Sequence, residues 1–412
     1  MRQFVRIEID WLLALGEEEG VEEVPRFRGQ KRKQLNAIAD NVGPQALAAM
    51  KHHEKKTGHN IKAVELYIRN QLQKIPELRG LQEFVHFGMT SDDDNNLAYG
   101  VSIMRSLQEV LLPNIENIVE TLKEKADQWG MEAMLAMTHG QPATTTELDK
   151  ELLVFADRLT DALKPLKKFQ MKGKFGGAVG NYTAHKAAYP NVPWKEVGKK
   201  FIESYGLRPI RRSTQINPHD DIAELSHHLV RINAILTDFS TDMWLYISRG
   251  IIKQKPKEGE VGSSVMPQKV NPIDFENAEG NAGFANAMLE FFARELPKSR
   301  MQRDLKDSTI MRNVGSVFGH CLLTYKSVLR GLGKIHPDTE ELSQELRDNP
   351  EIVAEIIQTV LRRYGVPNAY DKLKKLTRGR RVSLDELTDY VQKLKIPDEG
   401  RNTLLRFLRQ FK

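Results

Sequence analysis

The sequence predicts an all-α fold, because its apolar residues repeat at helical spacing over long stretches and strand-like alternation is scarce. Between residues 97 and 130 they recur every three or four positions, from Val101 to Ala126, in one long helix or two joined near Pro113. The same spacing predicts four further long helices, over residues 148–169, 222–247, 275–296 and 310–332. Long amphipathic helices of this kind bury their apolar faces against one another in a bundle.

Shorter helices are predicted on both sides of this region. Prolines at 25, 44 and 76 divide the first part of the chain, and prolines at 337, 350, 367 and 397 divide the last part. The sequence therefore predicts an N-terminal helical domain (1–97), a central helical bundle with a serine loop (98–332) and a small C-terminal helical domain (333–412).

The composition of the 412-residue chain excludes several classes of protein. A net charge of +6 permits an anionic ligand but is too small to indicate a nucleic-acid-binding protein. The single cysteine, Cys321, excludes an intramolecular disulfide framework and is typical of a reducing compartment. No apolar stretch approaches the ~18 residues of a membrane span, and no signal peptide is predicted. We expect a soluble cytoplasmic protein that binds neither nucleic acid nor membrane.

The loop over residues 259–272 is the most unusual connection in the chain. It combines glycines with the Ser263–Ser264 pair and with Lys269, and Pro272 then begins a helix. Backbone amides, a lysine and a helix N-terminus all favour an anion, especially a carboxylate whose charge grows during a reaction. The alternative is a surface loop with an ordinary helix cap. Neither a P-loop nor a dinucleotide-binding glycine motif occurs in the chain.

Two isolated histidines precede helices. His139 lies in the segment Thr138–Thr144, ahead of a long helix, where an imidazole could transfer protons near neutral pH. His59 follows Gly58 in a similar position. For both, the alternative is a hydrogen-bonded structural histidine.

Two further polar clusters have ordinary structural interpretations. Residues 90–96 carry hydroxyls and acids that suit a helix N-cap, and they lack the spacing of a calcium loop. His219, His227 and His228 lack the spacing of a zinc site, so we interpret them as structural.

Three arginines lie with Ser308 beside a predicted helix start, at positions 300, 303 and 312. The planar guanidinium fork suits phosphate or carboxylate, and a helix N-terminus adds to that preference. The alternative is pairing within the chain, with the aspartates at 304 and 307.

Five motifs follow one another in a fixed order along the chain. They are Thr138–Thr144, Gly177–Tyr182, Thr214–Asp220, Gly262–Pro272 with its continuation to Asn277, and Gln302–Leu305. Together they resemble the aspartase/fumarase superfamily of β-elimination lyases, and within it the adenylosuccinate lyases. The resemblance extends from Val5 to the C-terminal helices, and an ordered set of motifs is more specific than any single loop.

This resemblance implies a three-domain all-α lyase fold whose long central helices form the core of a homotetramer. Each active site would be assembled from three subunits. The implied reaction is elimination of fumarate from adenylosuccinate, giving AMP, and from the succinylated carboxamide ribotide of purine synthesis. No metal ion or organic cofactor is implied.

The implied catalytic residues are Ser263 as the base and His139 as the acid. A base must remove a weakly acidic proton beside a carboxylate, and the resulting dianion needs fixed positive charge. The residues alone would nominate His139 as the base, since an isolated serine is a weak one. Ser263 therefore requires activation by nearby donors and by Lys269.

The resemblance also implies a set of substrate-binding residues. Lys269, Asn271, Thr90 and Ser91 would hold the succinyl carboxylates, and the other members would line the pocket or engage the nucleotide end. These other members are Gly58, His59, Asn60, Gln215, Asn277, Arg303, Ser308 and Arg312.

Several positions depart from the family pattern. Asn60 stands where Asp is common, Met137 replaces Arg, and Gln268 replaces His, as in argininosuccinate lyases. The Asp-Gly-Arg-Tyr motif with which the family binds phosphate has no counterpart in this sequence. These departures leave three alternatives: another superfamily lyase such as an argininosuccinate lyase, a catalytically weakened homologue, or a non-catalytic oligomer.

Overall fold

A computed structural model describes residues 1–255, 265–266, 268–379 and 381–411. Helices account for 68% of the residues that the structure describes, which confirms the predicted all-α class. The helices are α1 (Arg2–Leu15), α2 (Gly29–Asp40), α3 (Pro44–Thr57), α4 (Asn60–Gln73), α5 (Ser91–Ser106), α6 (Leu112–Trp129), α7 (Leu148–Lys167), α8 (Thr183–Ala188), α9 (Trp194–Glu203), α10 (Asp220–Arg249), α11 (Ile273–Glu295), α12 (Lys306–Met311), α13 (Val314–Lys334), α14 (Thr339–Arg347), α15 (Ala354–Arg363), α16 (Ala369–Thr377), α17 (Leu384–Gln392) and α18 (Asp398–Leu408). Short 3₁₀ segments cover Pro76–Phe84, Pro350–Val353 and Arg409–Phe411.

Six short strands pair into three two-stranded sheets within the described residues. They are β1 (Ala133–Thr138), β2 (Gln141–Glu147), β3 (Lys172–Gly173), β4 (Arg208–Pro209), β5 (Ile252–Gln254) and β6 (Ile335–Pro337). β1–β2 and β5–β6 are antiparallel, and β3–β4 is parallel.

The long helix predicted over 97–130 is interrupted by a π-helical turn, Leu107–Leu111, between α5 and α6. Pro113 follows this turn. A proline inside a helix has no N–H to donate and its ring clashes with the carbonyl four residues earlier, here that of Glu109. A widened turn before Pro113 accommodates that clash without ending the helix.

The chain divides into two compact units. Unit 1 comprises Met1–Pro113, Lys164–Arg231 and Phe284–Cys321. Its core is aromatic around Trp11, whose ring centroid lies 4.4 Å from that of Phe175 and 5.2 Å from that of Phe201. The Trp11 indole N–H donates to the Phe87 carbonyl (2.9 Å), so this buried ring also fixes the segment that leads into α5.

Unit 2 comprises Asn114–Leu163, Ile232–Gly283 and Leu322–Lys412. Its C-terminal helices enclose an aliphatic core that includes Ile357, Leu387 and Leu404, and Leu135 of β1 belongs to the same cluster. Arg249 connects α10 to α14 and β1, because its guanidinium donates to Glu345 and to the Leu135 carbonyl (3.2 Å).

The three-domain division stays a prediction, since grouping by contacts joins segments that are distant in sequence. Across the described residues, no helix combines the length and apolar character needed to cross a membrane.

Candidate active site

A polar cavity of about 290 Å³ lies within unit 1. It is formed where the α3–α4 corner, the start of α5, the segment before α10 and the segment around α12 meet. Seven of the predicted substrate-binding residues line it: Gly58, His59, Asn60, Ser91, Arg303, Ser308 and Arg312. The structure therefore brings together residues that are up to about 250 positions apart in sequence, as ligand pockets commonly do.

His59 lies at the α3–α4 corner. Gly58 ends α3 in the left-handed conformation (φ 66°), which glycine adopts without steric cost. His59 then caps α4, and its Nδ1 accepts the backbone N–H of Lys62 (3.2 Å). A ring that accepts through Nδ1 presents Nε2 as its donor. His59 thus combines the structural role with an imidazole edge that faces the cavity.

The start of α5 is held by a buried carboxylate. Thr90 and Asp93 form a capping box, in which the Thr90 N–H donates to Asp93 (2.9 Å). Asp93 also accepts the backbone N–H groups of Gly176 and Gly177, at 3.0 and 2.9 Å. Lys174 Nζ lies 2.8 Å from Asp93 Oδ1 as an ion pair whose geometry is not that of an aligned hydrogen bond. This arrangement fixes Thr90 and Ser91 beside a helix N-terminus that favours anions.

Arg303 contacts three other predicted substrate-binding residues. Its Nη1 donates to Gln215 Oε1 (3.0 Å) and lies 3.4 Å from Ser91 Oγ, and its Nη2 lies 3.4 Å from Ser308 Oγ. Its Nε is buried and has no hydrogen-bond partner among the described residues. Gln215 in turn donates to the Ala178 carbonyl (2.9 Å). The alternative of local ion pairing applies to Arg300, whose exposed side chain lies 3.9 Å from Asp304.

Acidic and imidazole groups that sequence reasoning did not assign to the site also line the cavity. Asp92 is buried on α5, and burial raises the pKa of its carboxyl despite the opposing effects of Lys174 and His219. Burial would also raise the pKa of Asp307, but His219 and Arg303 lower it below its usual value. Tyr99 also lines the cavity. The signal that could have found them is His219, which belongs to one of the five motifs.

His139 lies on unit 2, at the tip of the β1–β2 hairpin. His139 and Gly140 both have positive φ, 54° and 68°, as a two-residue type I′ turn requires. The interpretation of this histidine as a loop residue next to a helix was wrong, because the seven-residue strand β2 separates it from α7. Threonines at 144–146 favour that strand through their branched side chains. The hairpin leaves the imidazole exposed to solvent.

Ser263 lies outside the described residues, as does the rest of 256–264. Downstream, the Lys269 N–H donates to the Met266 carbonyl (3.1 Å), and the Lys269 side chain is exposed. Asn271 and exposed Asn277 lie on either side of the start of α11. Asp274 is buried and pairs with Arg330 (3.0 Å) and Lys334 (2.8 Å), so it anchors α11 to α13.

Two family models match the chain. The model described as "Lyase" matches residues 12–286, and the model described as "Adenylosuccinate lyase C-terminal" matches residues 299–410. The match to the first covers more than half of the chain, and the second begins shortly after it ends.

Curated relatives match almost the whole chain. The adenylosuccinate lyase of Legionella pneumophila (strain Corby) is 45% identical over 400 residues, which cover 97% of this chain and 88% of the relative. The adenylosuccinate lyase of Escherichia coli (strain K12) is 43% identical with the same coverage of both chains.

Solved structures show the same fold at low sequence identity. The 3-carboxy-cis,cis-muconate lactonizing enzyme from Pseudomonas putida matches with a TM-score of 0.77 at 18% identity, over 100% of this chain and 95% of that one. A fumarate lyase from Mesorhizobium sp. BNC1 also has a TM-score of 0.77, at 15% identity, over 98% and 91% of the two chains. The predicted resemblance is confirmed, and the chain belongs to the adenylosuccinate lyase family.

Proposed function

We propose that the protein catalyses the β-elimination of fumarate from adenylosuccinate, which makes it a carbon–nitrogen lyase that releases AMP. The observation that carries this proposal is the unit 1 cavity, where seven residues implied to bind substrate line one polar space. The succinylated carboxamide ribotide of purine synthesis presents the same succinylamino group and is the second proposed substrate.

The proposed chemistry separates proton removal from leaving-group protonation. Ser263 removes a proton from the carbon beside a succinyl carboxylate, and the C–N bond then breaks as His139 protonates the departing nitrogen. The negative charge that accumulates on the carboxylate needs donors and fixed positive charge in place. Lys269 and Asn271 supply these on the serine-loop side, and the N-terminus of α5 supplies them through Thr90 and Ser91.

The nucleotide end of the substrate is assigned to the arginine side of the unit 1 cavity. Arg303 and Arg312 both line it, and Arg303 is held by Gln215. A guanidinium fixed in this way presents a rigid fork to a phosphate, which lowers the entropy lost on binding.

We further propose that the protein is a homotetramer whose active sites are shared between subunits. Large apolar side chains are exposed along the long helices, which supports this assembly because monomeric proteins seldom expose many of them together. Examples are Trp244 and Leu245 on α10, Phe284 on α11 and Leu323 on α13. The single cysteine, buried at position 321, supports a cytoplasmic location.

A second candidate is an argininosuccinate lyase activity. Gln268 is the observation that favours it, since that position carries Gln in the argininosuccinate lyases and commonly His in the adenylosuccinate branch. The two substrates share the succinyl group and differ in the leaving amine, so both reactions use the same elimination chemistry.

The catalytic assignment is tested by measuring fumarate and AMP released from adenylosuccinate by the wild type and by Ser263→Ala and His139→Ala. We expect each substitution to lower kcat by roughly 10²–10⁴-fold, the usual contribution of a positioned acid or base. Met131→Ala is the matched control, because Met131 is highly exposed and lies before β1. No release by concentrated wild-type enzyme would refute the activity, and unchanged kcat in both variants would refute the assignment.

A further inference from the structure

His219 has an unusual local structure for a histidine that sequence reasoning would assign to the scaffold. Its backbone is left-handed (φ 58°), a conformation that costs energy for any residue except glycine. The Asn217 side chain accepts the His219 N–H (2.9 Å), and the His219 carbonyl accepts the N–H of Ala223 in the first turn of α10 (3.1 Å). The turn directs the imidazole toward the unit 1 cavity, which it lines.

The imidazole lies near a carboxylate that also lines that cavity. His219 Nε2 lies 3.6 Å from Asp307 Oδ2, and both side chains are more than nine-tenths buried. Neither ring nitrogen makes a hydrogen bond to any other described residue. The imidazole can therefore form a polar interaction with Asp307 or with a molecule bound in the cavity.

Asp307 in turn lies beside the arginine that the proposed function needs. Its Oδ1 lies 3.5 Å from Ser308 Oγ, and Ser308 lies 3.4 Å from Arg303 Nη2. A buried carboxylate in this place has two harmful effects on an anionic substrate. It competes for the charge of Arg303, and it repels the substrate directly. Asp92, which is also buried in the cavity lining, is a second acidic group there.

We propose that His219 is a positioning residue that engages Asp307 and so leaves Arg303 free to bind the anionic group of the substrate. An imidazole N–H directed at Asp307 offsets part of the effect of this carboxylate on Arg303. The strained turn at Asn217–His219 is what holds the ring within reach of Asp307. This inference rests on the proposed function, because it needs an anionic nucleotide at Arg303.

The test is a double-mutant cycle with His219→Gln and Asp307→Asn, read by KM for adenylosuccinate and by calorimetric titration with AMP. His219→Gln keeps a polar side chain that cannot be protonated. We expect it to raise KM and the Kd for AMP by about ten-fold while kcat changes less than about two-fold. Adding Asp307→Asn removes the carboxylate, so the double variant should return to within about two-fold of the wild type.

The single variants also test the proposal on their own. Asp307→Asn alone should bind AMP at least as tightly as the wild type, and this holds even if His219→Gln fails to fold. His228→Gln is the control, because His228 lies on α10 near exposed Glu224 (4.0 Å) and does not line the cavity.

Two results would overturn the inference while leaving the proposed function intact. One is an active wild type whose KM and AMP affinity are unchanged by His219→Gln. The other is a weakening of AMP binding by Asp307→Asn. A wild type that neither releases fumarate nor binds AMP would instead refute the proposed function itself.

Discussion

His59 shows how one residue in the cavity has both a structural and a proposed chemical role. Its Nδ1 caps α4, and its Nε2 edge faces the space where substrate is proposed to bind. Asparagine is among the best N-caps, whereas alanine cannot accept the Lys62 N–H.

Two variants of His59 distinguish its capping role from its proposed chemical role. His59→Ala should lose about 1 kcal/mol of unfolding free energy and most of the activity. His59→Asn should keep the stability and still lose activity, because it cannot present an imidazole donor. Urea unfolding combined with initial rates measures both. Full activity in His59→Asn would restrict this residue to its capping role.

Asp94 is a buried carboxyl on α5 that the proposed chemistry does not use. Its two oxygens have no hydrogen-bond partner among the described residues, and burial followed by the nearby Glu8 carboxylate raises its pKa well above the usual value. An acid whose folded-state pKa is raised is most stabilising while protonated. The stability that it contributes is lost as pH rises from its unfolded pKa through its folded pKa.

Asp94→Asn removes this titration while nearly preserving the shape of the side chain. We expect the variant to gain stability over the wild type as pH rises from 5 to 8, in urea melts at several pH values. Glu290→Gln is a suitable control, because Glu290 is an exposed acid on α11. A constant difference between variant and wild type across this range would contradict the interpretation.

The start of α5 depends on a buried ion pair that connects it to a distant loop. Asp93 and Lys174 are both fully buried, and Asp93 also accepts two loop amides and the Thr90 N–H. Asp93→Asn removes the carboxylate that pairs with buried Lys174, which should cost about 3–5 kcal/mol of unfolding free energy. It should also lower substrate affinity, because Thr90 and Ser91 lose their fixed position.

The matched control for Asp93→Asn is Asp238→Asn, which breaks the exposed pair with Arg158. Exposed ion pairs contribute about 0–1 kcal/mol to stability, so this change should hardly alter the unfolding free energy measured with urea. Equal losses in the two variants would show that the buried pair has no special role.

The elements also show what the sequence could and could not predict. Periodicity located the long helices, because burial of an apolar stripe is a local property of the sequence. The hairpin that carries His139 was missed, since the turn signal is only a His-Gly pair and the strands are short. Arg303 and Ser91 were identified as substrate-binding residues from the resemblance, but His219 and Asp307 were not. Their proximity depends on packing between segments almost ninety residues apart, which no local pattern encodes.

We expect four copies of the whole molecule to assemble into a tetramer. Phe284 on α11 is more than half exposed and contacts His320 in a tilted arrangement, with ring centroids 4.5 Å apart. If this surface is an interface, Phe284→Glu should shift the particle to a smaller mass in light scattering and lower activity at dilute concentration. Met131→Glu places the same charge at an exposed loop position and should do neither.

Sharing of active sites between subunits is tested by mixing inactive variants of different residues. His139→Ala and Arg303→Ala, co-expressed and purified as mixed tetramers, should regain measurable activity if the two side chains come from different chains. Lys269→Ala provides two further pairings. Mixed tetramers of verified composition that stay inactive in every pairing would contradict shared sites.

Whether this chain is a lyase for adenylosuccinate is decided by side-by-side kinetics with two substrates. The measurement is kcat/KM for adenylosuccinate and for argininosuccinate, with fumarate release followed in the same buffer and with the same enzyme preparation. We expect adenylosuccinate to be preferred by about a thousand-fold or more, because Arg303 and Arg312 require an anionic nucleotide. Equal or better turnover of argininosuccinate would contradict it, as would the absence of fumarate from both substrates.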